Sequence, residues 1–143
     1  MSSTNASMRG SSAVVVDASA VFALIKNEPA APALRKRLFE RDLVFYAPAV
    51  IDLEILSTAR RYVFRGEMTL AEADTLFAAY ASIDILRYAH DSFFFRIWDF
   101  RDNFTAYDAA YVALAEAYRV PLITLDARLA KSAPRTIRVE LFA

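Results

Sequence analysis

Cysteine is absent from the 143 residues, which excludes a disulfide framework and any thiolate metal site and suits a reducing cytoplasm, the location expected for the chain. Histidine is nearly absent too. His90 stands alone, so a histidine-rich metal site is excluded as well. Neither sign of charge dominates, with 17 basic against 17 acidic residues, and no overall cationic field draws nucleic acid to the surface. No apolar run approaches the length that spans a bilayer. Internal repeats and low-complexity tracts are lacking. What is plentiful is apolar residues, at 57%, enough to fill one core at this length. The polar stretch 1–12 is expected to be a disordered leader containing a second start at Met8, with one folded domain over 13–143.

The apolar residues are grouped in short runs. Ala13-Val14-Val15-Val16 is uninterrupted and β-branched, as in a strand buried on both faces of a parallel sheet, and it ends at Asp17. Leu43-Val44-Phe45-Tyr46, 83–86 and Leu122-Ile123-Thr124-Leu125 are further strands, the last ending at Asp126, and 137–141 is a fifth strand at an edge. Between them lie helical stretches: 18–26, a segment holding Arg35, Lys36 and Arg37, and a helix with Pro48 in its first turn and Glu54 in its early turns. Thr69 and Glu72 have capping-box spacing at the start of a helix to about residue 80, and 92–100 and 106–118 follow as helices. Strands alternating with helices, without hairpin signals, call for crossover connections and a mainly parallel sheet covered on both faces, an α/β fold.

Asp17 and Asp126 each follow a strand, while Glu54 and Asp108 fall in early turns of helices. Ligands of open α/β sheets bind beyond the carboxyl ends of the strands, so the four acids are candidates for one pocket. Clustered carboxylates repel one another and resist burial unless protons or a cation neutralise them. An all-oxygen donor set favours magnesium (Mg2+) or manganese (Mn2+), ions that activate water and stabilise charge on a phosphoryl oxygen. Each acid also has a plainer reading. An Asp after a strand commonly caps a helix, Thr105-Ala106-Tyr107-Asp108 resembles a capping box, and Glu54 beside Asp52 suits a solvated face.

Four segments carry a resemblance: Val14-Val15-Val16-Asp17-Ala18-Ser19, Asp52-Leu53-Glu54-Ile55, Thr105-Ala106-Tyr107-Asp108 with the alanine-rich helix after it, and Leu122-Ile123-Thr124-Leu125-Asp126. In this order they resemble the PIN domain, and the third is similar to bacterial VapC toxins. The resemblance implies a three-layer α/β/α, Rossmann-like fold and a metal-dependent endoribonuclease that acts as the toxin of a toxin–antitoxin pair. It further implies homodimerisation and inhibition by a VapB-type antitoxin. By that likeness Asp17, Glu54, Asp108 and Asp126 are the catalytic, metal-binding quartet, Glu54 through water if not directly, and Ser19 and Thr105 support them. Two other readings are carried along. A phosphatase working through an aspartyl-phosphate resembles this chain at Asp17, but such enzymes have Asp-x-Asp there and residue 19 is serine. An inactive PIN-fold module that binds RNA or protein is expected to lack one of the acids, and all four are present.

Removing the quartet from the 17 acids leaves 13 against 17 bases, an excess available to line an RNA path. Arg96 and Arg101 precede Asp108 and are candidates for phosphate contacts, with a solvated helix face as the alternative. Arg60, Arg61 and Arg65 read as solvent-facing. His90 reads as an ordinary residue before a helix. Phe93, Ile97, Phe100 and Phe104 recur at helical spacing and read as core, but Phe94, Phe95 and Trp98 widen the apolar surface beyond what one neighbouring element covers. That excess predicts a protein–protein surface.

Overall fold

The computed structural model describes residues 12–143, so the expected leader lies outside the described residues except for Ser12. The Ser12 carbonyl accepts from the Val44 amide at 3.1 Å, just ahead of the first strand. Five strands form one sheet: β1 (Ala13–Val16), β2 (Val44–Pro48), β3 (Ile85–Tyr88), β4 (Leu122–Thr124) and β5 (Val139–Leu141). Their spatial order is β3-β2-β1-β4-β5, and every neighbouring pair is parallel. The helices are α1 (Ala18–Ile25), α2 (Ala31–Phe39), α3 (Ile51–Phe64), α4 (Leu70–Ala81), α5 (Phe94–Asp99), α6 (Ala106–Tyr118) and α7 (Ala127–Ser132). This is the expected three-layer α/β/α arrangement.

All four residues of β1 are buried, as its unbroken valine run requires of the central strand. Helix α6 packs across β1 and β2, and its buried face runs from Ala109 to Ala115. Small alanines there let the helix approach the sheet closely, while Tyr111, Val112 and Leu114 fill the remaining space. Helix α1 packs against α2, α3, α4 and β4. From β1 the chain moves outward to β2 and β3, and then returns to place β4 on the other side of β1. The strand order thus reverses between β1 and β4, which opens a crevice at their carboxyl ends.

Several local expectations shift. Pro48 closes β2 and does not open α3. The next amide, Ala49, donates to the Tyr88 carbonyl at 2.9 Å, so the Pro48 nitrogen faces the opposite side, past the last β1–β2 pair at Val15 and Tyr46, where no partner is missed. Strand β3 begins two residues later than expected, and β5 shrinks to three residues. The expected aromatic helix over 92–100 divides into a 3-10 turn, His90–Phe93, and the single-turn-scale α5. Helix α7 was not expected, and it forms because Asp126 caps it, accepting from the amides of Arg128 at 2.9 Å and Leu129 at 3.1 Å. The capping box at Thr69 and Glu72 is present in full.

Leu114 is almost fully buried where α6 meets the sheet. Leu114→Ala should lower unfolding stability by about 3 kcal/mol through lost transfer energy and a residual cavity, read as a lower urea midpoint with an unchanged m-value. A loss below about 1 kcal/mol would mean that α6 does not anchor the core.

Candidate active site

Asp17 lies at the base of the switch-point crevice with only 5% of its surface exposed. Both carboxylate oxygens are occupied. Oδ1 accepts from the Ser19 hydroxyl at 2.6 Å and from the Ala20 amide at 2.9 Å, the latter capping α1, and Oδ2 accepts from the Thr124 hydroxyl. Thr124 also receives the Asp126 amide at 2.9 Å, and Ser19 receives the Leu125 amide at 3.0 Å. Two hydroxyls therefore tie the end of β1 to the end of β4. Asp17 caps α1, as its plainer reading has it, and also lines the crevice.

Glu54 reaches the same crevice from the first turn of α3, and the Tyr111 hydroxyl donates to its Oε1 at 2.6 Å. Tyr111 and Asp108 are three residues apart on α6, so one helix face supplies an acid and the group that orients another acid. Thr105 caps α6 by accepting from the Asp108 amide at 3.2 Å. Asp17, Glu54, Asp108 and Asp126 line a single cavity of about 710 Å³ together with Glu28, Arg61, Tyr107 and Tyr111, among others.

The acids feel one another. Burial pushes the Asp17 carboxyl up to about 6, against the hydrogen bonds from Ser19, Thr124 and Ala20, and the Glu54 charge adds to the rise. Glu54 is raised by burial and by Asp108, with Tyr111 opposing. Asp108 is raised by burial and by Asp126, with Thr105 and Arg128 opposing. The repulsion thus runs as a chain from Asp17 through Glu54 and Asp108 to Asp126.

Among the described residues, no three acids stand close enough as placed to grip one ion together. The donor set nevertheless fits a hard divalent cation. It is all oxygen, it is electrostatically frustrated without a counter-charge, and magnesium is commonly held by one or two carboxylates with waters completing the shell.

The other sequence candidates part company. Arg96 forms a bidentate pair with Glu116 at 2.6 and 2.8 Å, eight residues or about 12 Å along α6 from Asp108, so its guanidinium is committed away from the cavity. Arg101 stacks on Trp98 with its carbon 4.8 Å from the ring centroid. It lines a separate apolar cleft of about 390 Å³ with His90, Phe94, Ile97, Trp98 and Phe104, which meets the acidic cavity only at Val50 and Tyr107. His90 accepts the Val50 amide at Nε2, 3.1 Å, and is not among the residues lining the acidic cavity. Sequence reasoning assigned no role to Thr124 or Tyr111. A hydroxyl inside the buried run Leu122-Ile123-Thr124 was the available signal for the first, and a tyrosine one helical turn after Asp108 for the second.

A parallel sheet with an acidic crevice at its switch point defines an α/β protein of the PIN fold. Residues 14–133 match the PIN domain family, and the chain belongs to it. Among curated relatives, Ribonuclease VapC12 of Mycobacterium tuberculosis is 37% identical over 130 residues, covering 91% of this chain and 99% of its own length. VapC ribonuclease Mb0985 of Mycobacterium bovis is 37% identical over 116 residues, covering 81% and 87%. Two crystal structures share the fold. PAE2754 from Pyrobaculum aerophilum has a TM-score of 0.63 at 23% identity, covering 89% of this chain and 91% of that one. VapBC2 from Rickettsia felis, bound to a DNA fragment from their promoter, has a TM-score of 0.65 at 12% identity, covering 92% and 99%.

The raised Asp17 carboxyl sets the sign of a pH effect. Between its ordinary value of 3.8 and about 6 the folded state binds more protons than the unfolded state, so stability falls as pH rises through that window. Without divalent cations, Asp17 alone should remove roughly 2 kcal/mol between pH 4 and 7. Comparing melting curves of the chain with those of Asp17→Asn isolates this contribution, and the variant should lose less stability across the window. Parallel pH profiles would contradict the assigned burial cost.

Proposed function

We propose that the chain is a metal-dependent endoribonuclease, the toxin of a VapBC-type toxin–antitoxin pair, that hydrolyses RNA phosphodiester bonds and thereby arrests growth. The observation that carries this reading is the convergence of four carboxylates from four different elements on one cavity at the switch point, in a chain whose curated relatives are named ribonucleases. Magnesium or manganese, when bound, supplies Lewis acidity toward the phosphoryl oxygen and a water activated for attack.

The residues of the chain itself orient and insulate. Ser19, Thr124 and the Ala20 amide hold the Asp17 carboxylate in one rotamer, and Tyr111 aims Glu54. Asp108 and Asp126, both half-buried, present their carboxylates nearer the cavity mouth, with Thr105 and the α7 amides fixing their backbones and, for Asp126, one oxygen. Such pre-organisation is what an electrostatic catalyst needs, because the groups do not have to reorient as charge develops. An aspartyl-phosphate route fits poorly. Enzymes of that kind carry a second Asp two residues on, and the position after Asp17-Ala18 is Ser19, whose hydroxyl is committed to the Asp17 carboxylate.

The same proposal includes protein partners, a second copy of the chain and a VapB-type antitoxin. Phe94 and Trp98 are each 63% exposed and Phe95 is 80% exposed, which removes them from the core and leaves an aromatic patch beside the apolar cleft. No helix among the described residues is long and apolar enough to cross a membrane.

Cleavage of single-stranded RNA by the purified protein should need magnesium or manganese and vanish in EDTA. Asp108→Asn should lower the rate by on the order of a hundredfold or more, the usual scale for a lost electrostatic group. Undiminished cleavage in EDTA would refute metal dependence. For the partner face, Trp98→Ala should leave monomer melting unchanged and weaken self-association or antitoxin binding by roughly 2 kcal/mol, followed by sedimentation and calorimetry. Unaltered association of both kinds would remove this patch from the interfaces.

A further inference from the structure

Several arginines among the described residues have firm partners. Arg37 pairs with Glu140, Arg87 with Asp52 and Arg96 with Glu116, while Arg60 stacks on Phe64 and Arg101 on Trp98. Arg61 differs. Among the described residues it is the one base lining the acidic cavity, and Asp17, Glu28, Glu54, Asp108 and Asp126 line that cavity with it. The contact it makes is a single hydrogen bond, from a terminal guanidinium nitrogen to the Thr58 hydroxyl at 3.3 Å, and no ion pair joins it to any of those five acids. A cation with acids on the same cavity wall, yet bound to none, keeps its planar donor fork available to an incoming anion.

Its placement follows from helix geometry. Glu54, Thr58 and Arg61 recur at intervals of four and three on α3, which puts them on one face, and Ser57 between them also lines the cavity. Arg61 therefore stands two turns, about 10 Å, from Glu54 along the axis. That offset suits a phosphate neighbouring the one at the acids. Thr58 donates its own hydroxyl proton to the Glu54 carbonyl at 2.9 Å, so the oxygen that receives Arg61 is itself fixed to the helix.

We propose that Arg61 is a substrate-binding residue that holds a backbone phosphate of the RNA strand flanking the bond to be cut. This rests on the ribonuclease reading above. It moves the phosphate contact expected of Arg96 onto α3, a helix whose basic residues read from sequence as solvent-facing. A net-negative cavity repels RNA, and an arginine on its wall draws the strand toward the acids without neutralising them.

The test uses a short single-stranded RNA with magnesium present, with cleavage followed directly and binding measured by fluorescence anisotropy in the Asp108→Asn background. Arg61→Ala should raise KM roughly tenfold, the scale of a charged hydrogen bond, with kcat within about twofold. The slope of log affinity against log salt should flatten by about 0.7, one released counterion on a single strand. Arg61→Lys should recover part of the KM and nearly all of the salt slope. Arg41→Ala, an equal charge change on the wall of a different cavity, should do neither. An unchanged KM and salt slope in Arg61→Ala would overturn the proposal while leaving the ribonuclease reading intact. So would a lowered melting temperature as its only effect. If the unmodified chain binds RNA but never cuts it, the ribonuclease reading falls, and the salt slope still decides whether Arg61 grips phosphate.

Discussion

Burial of the Asp17 carboxylate is the constraint around which the rest of the site is arranged. A charged group this far from water is costly unless its oxygens are met by donors, and three donors meet them: the Ser19 and Thr124 hydroxyls and the Ala20 amide. Each comes from a different structural commitment. Ala20 requires α1 to start at once after β1, Thr124 requires β4 to lie beside β1, and Ser19 requires both, since it also receives the Leu125 amide. Reversing the strand order at β1 is therefore what allows Asp17 to be buried, and Asp17 in turn pins the two strands that create the crevice.

The donors do not cancel the cost. Burial still holds the Asp17 carboxyl up at about 6, and Glu54 and Asp108 are raised for the same reason with their neighbours adding to it. A chain selected for stability alone would place apolar or paired groups at these positions. Stability is given up locally and recovered in the apolar core under α6, a division common at sites whose chemistry needs concentrated charge. The arrangement also separates the roles of the bases. Arg37, Arg87, Arg96 and Arg138 are tied into ion pairs, while Arg61 is left on the cavity wall.

Much of this was legible in the sequence because the signals were local and reinforced each other. Ala13 and three buried valines ending in Asp17, and Leu122-Ile123-Thr124 leading toward Asp126, mark strands and their carboxyl ends together. The parallel sheet followed from the alternation of elements. What remained hidden depends on contacts between distant segments. Tyr111 and Glu54 are 57 residues apart and Arg96 and Glu116 are 20 apart, so no spacing rule joins them. Pro48 reads equally well as a first helical residue or as the end of a strand whose nitrogen faces no partner, and only the length of the β1 pairing decides. Helix α7 was missed for a simpler reason. Asp126 was weighed as a ligand or a cap, and its being a cap implies the helix that it caps.

The central claim is that the acidic cavity is a divalent-cation site whose repulsion the ion relieves. Isothermal titration of manganese into the metal-free protein, paired with melting curves at each concentration, addresses it without any substrate. The account predicts saturable binding and a melting temperature that climbs with manganese as expected for a ligand of the folded state, both sharply reduced in Asp108→Asn. Absence of saturable heat together with a melting temperature indifferent to manganese would contradict it.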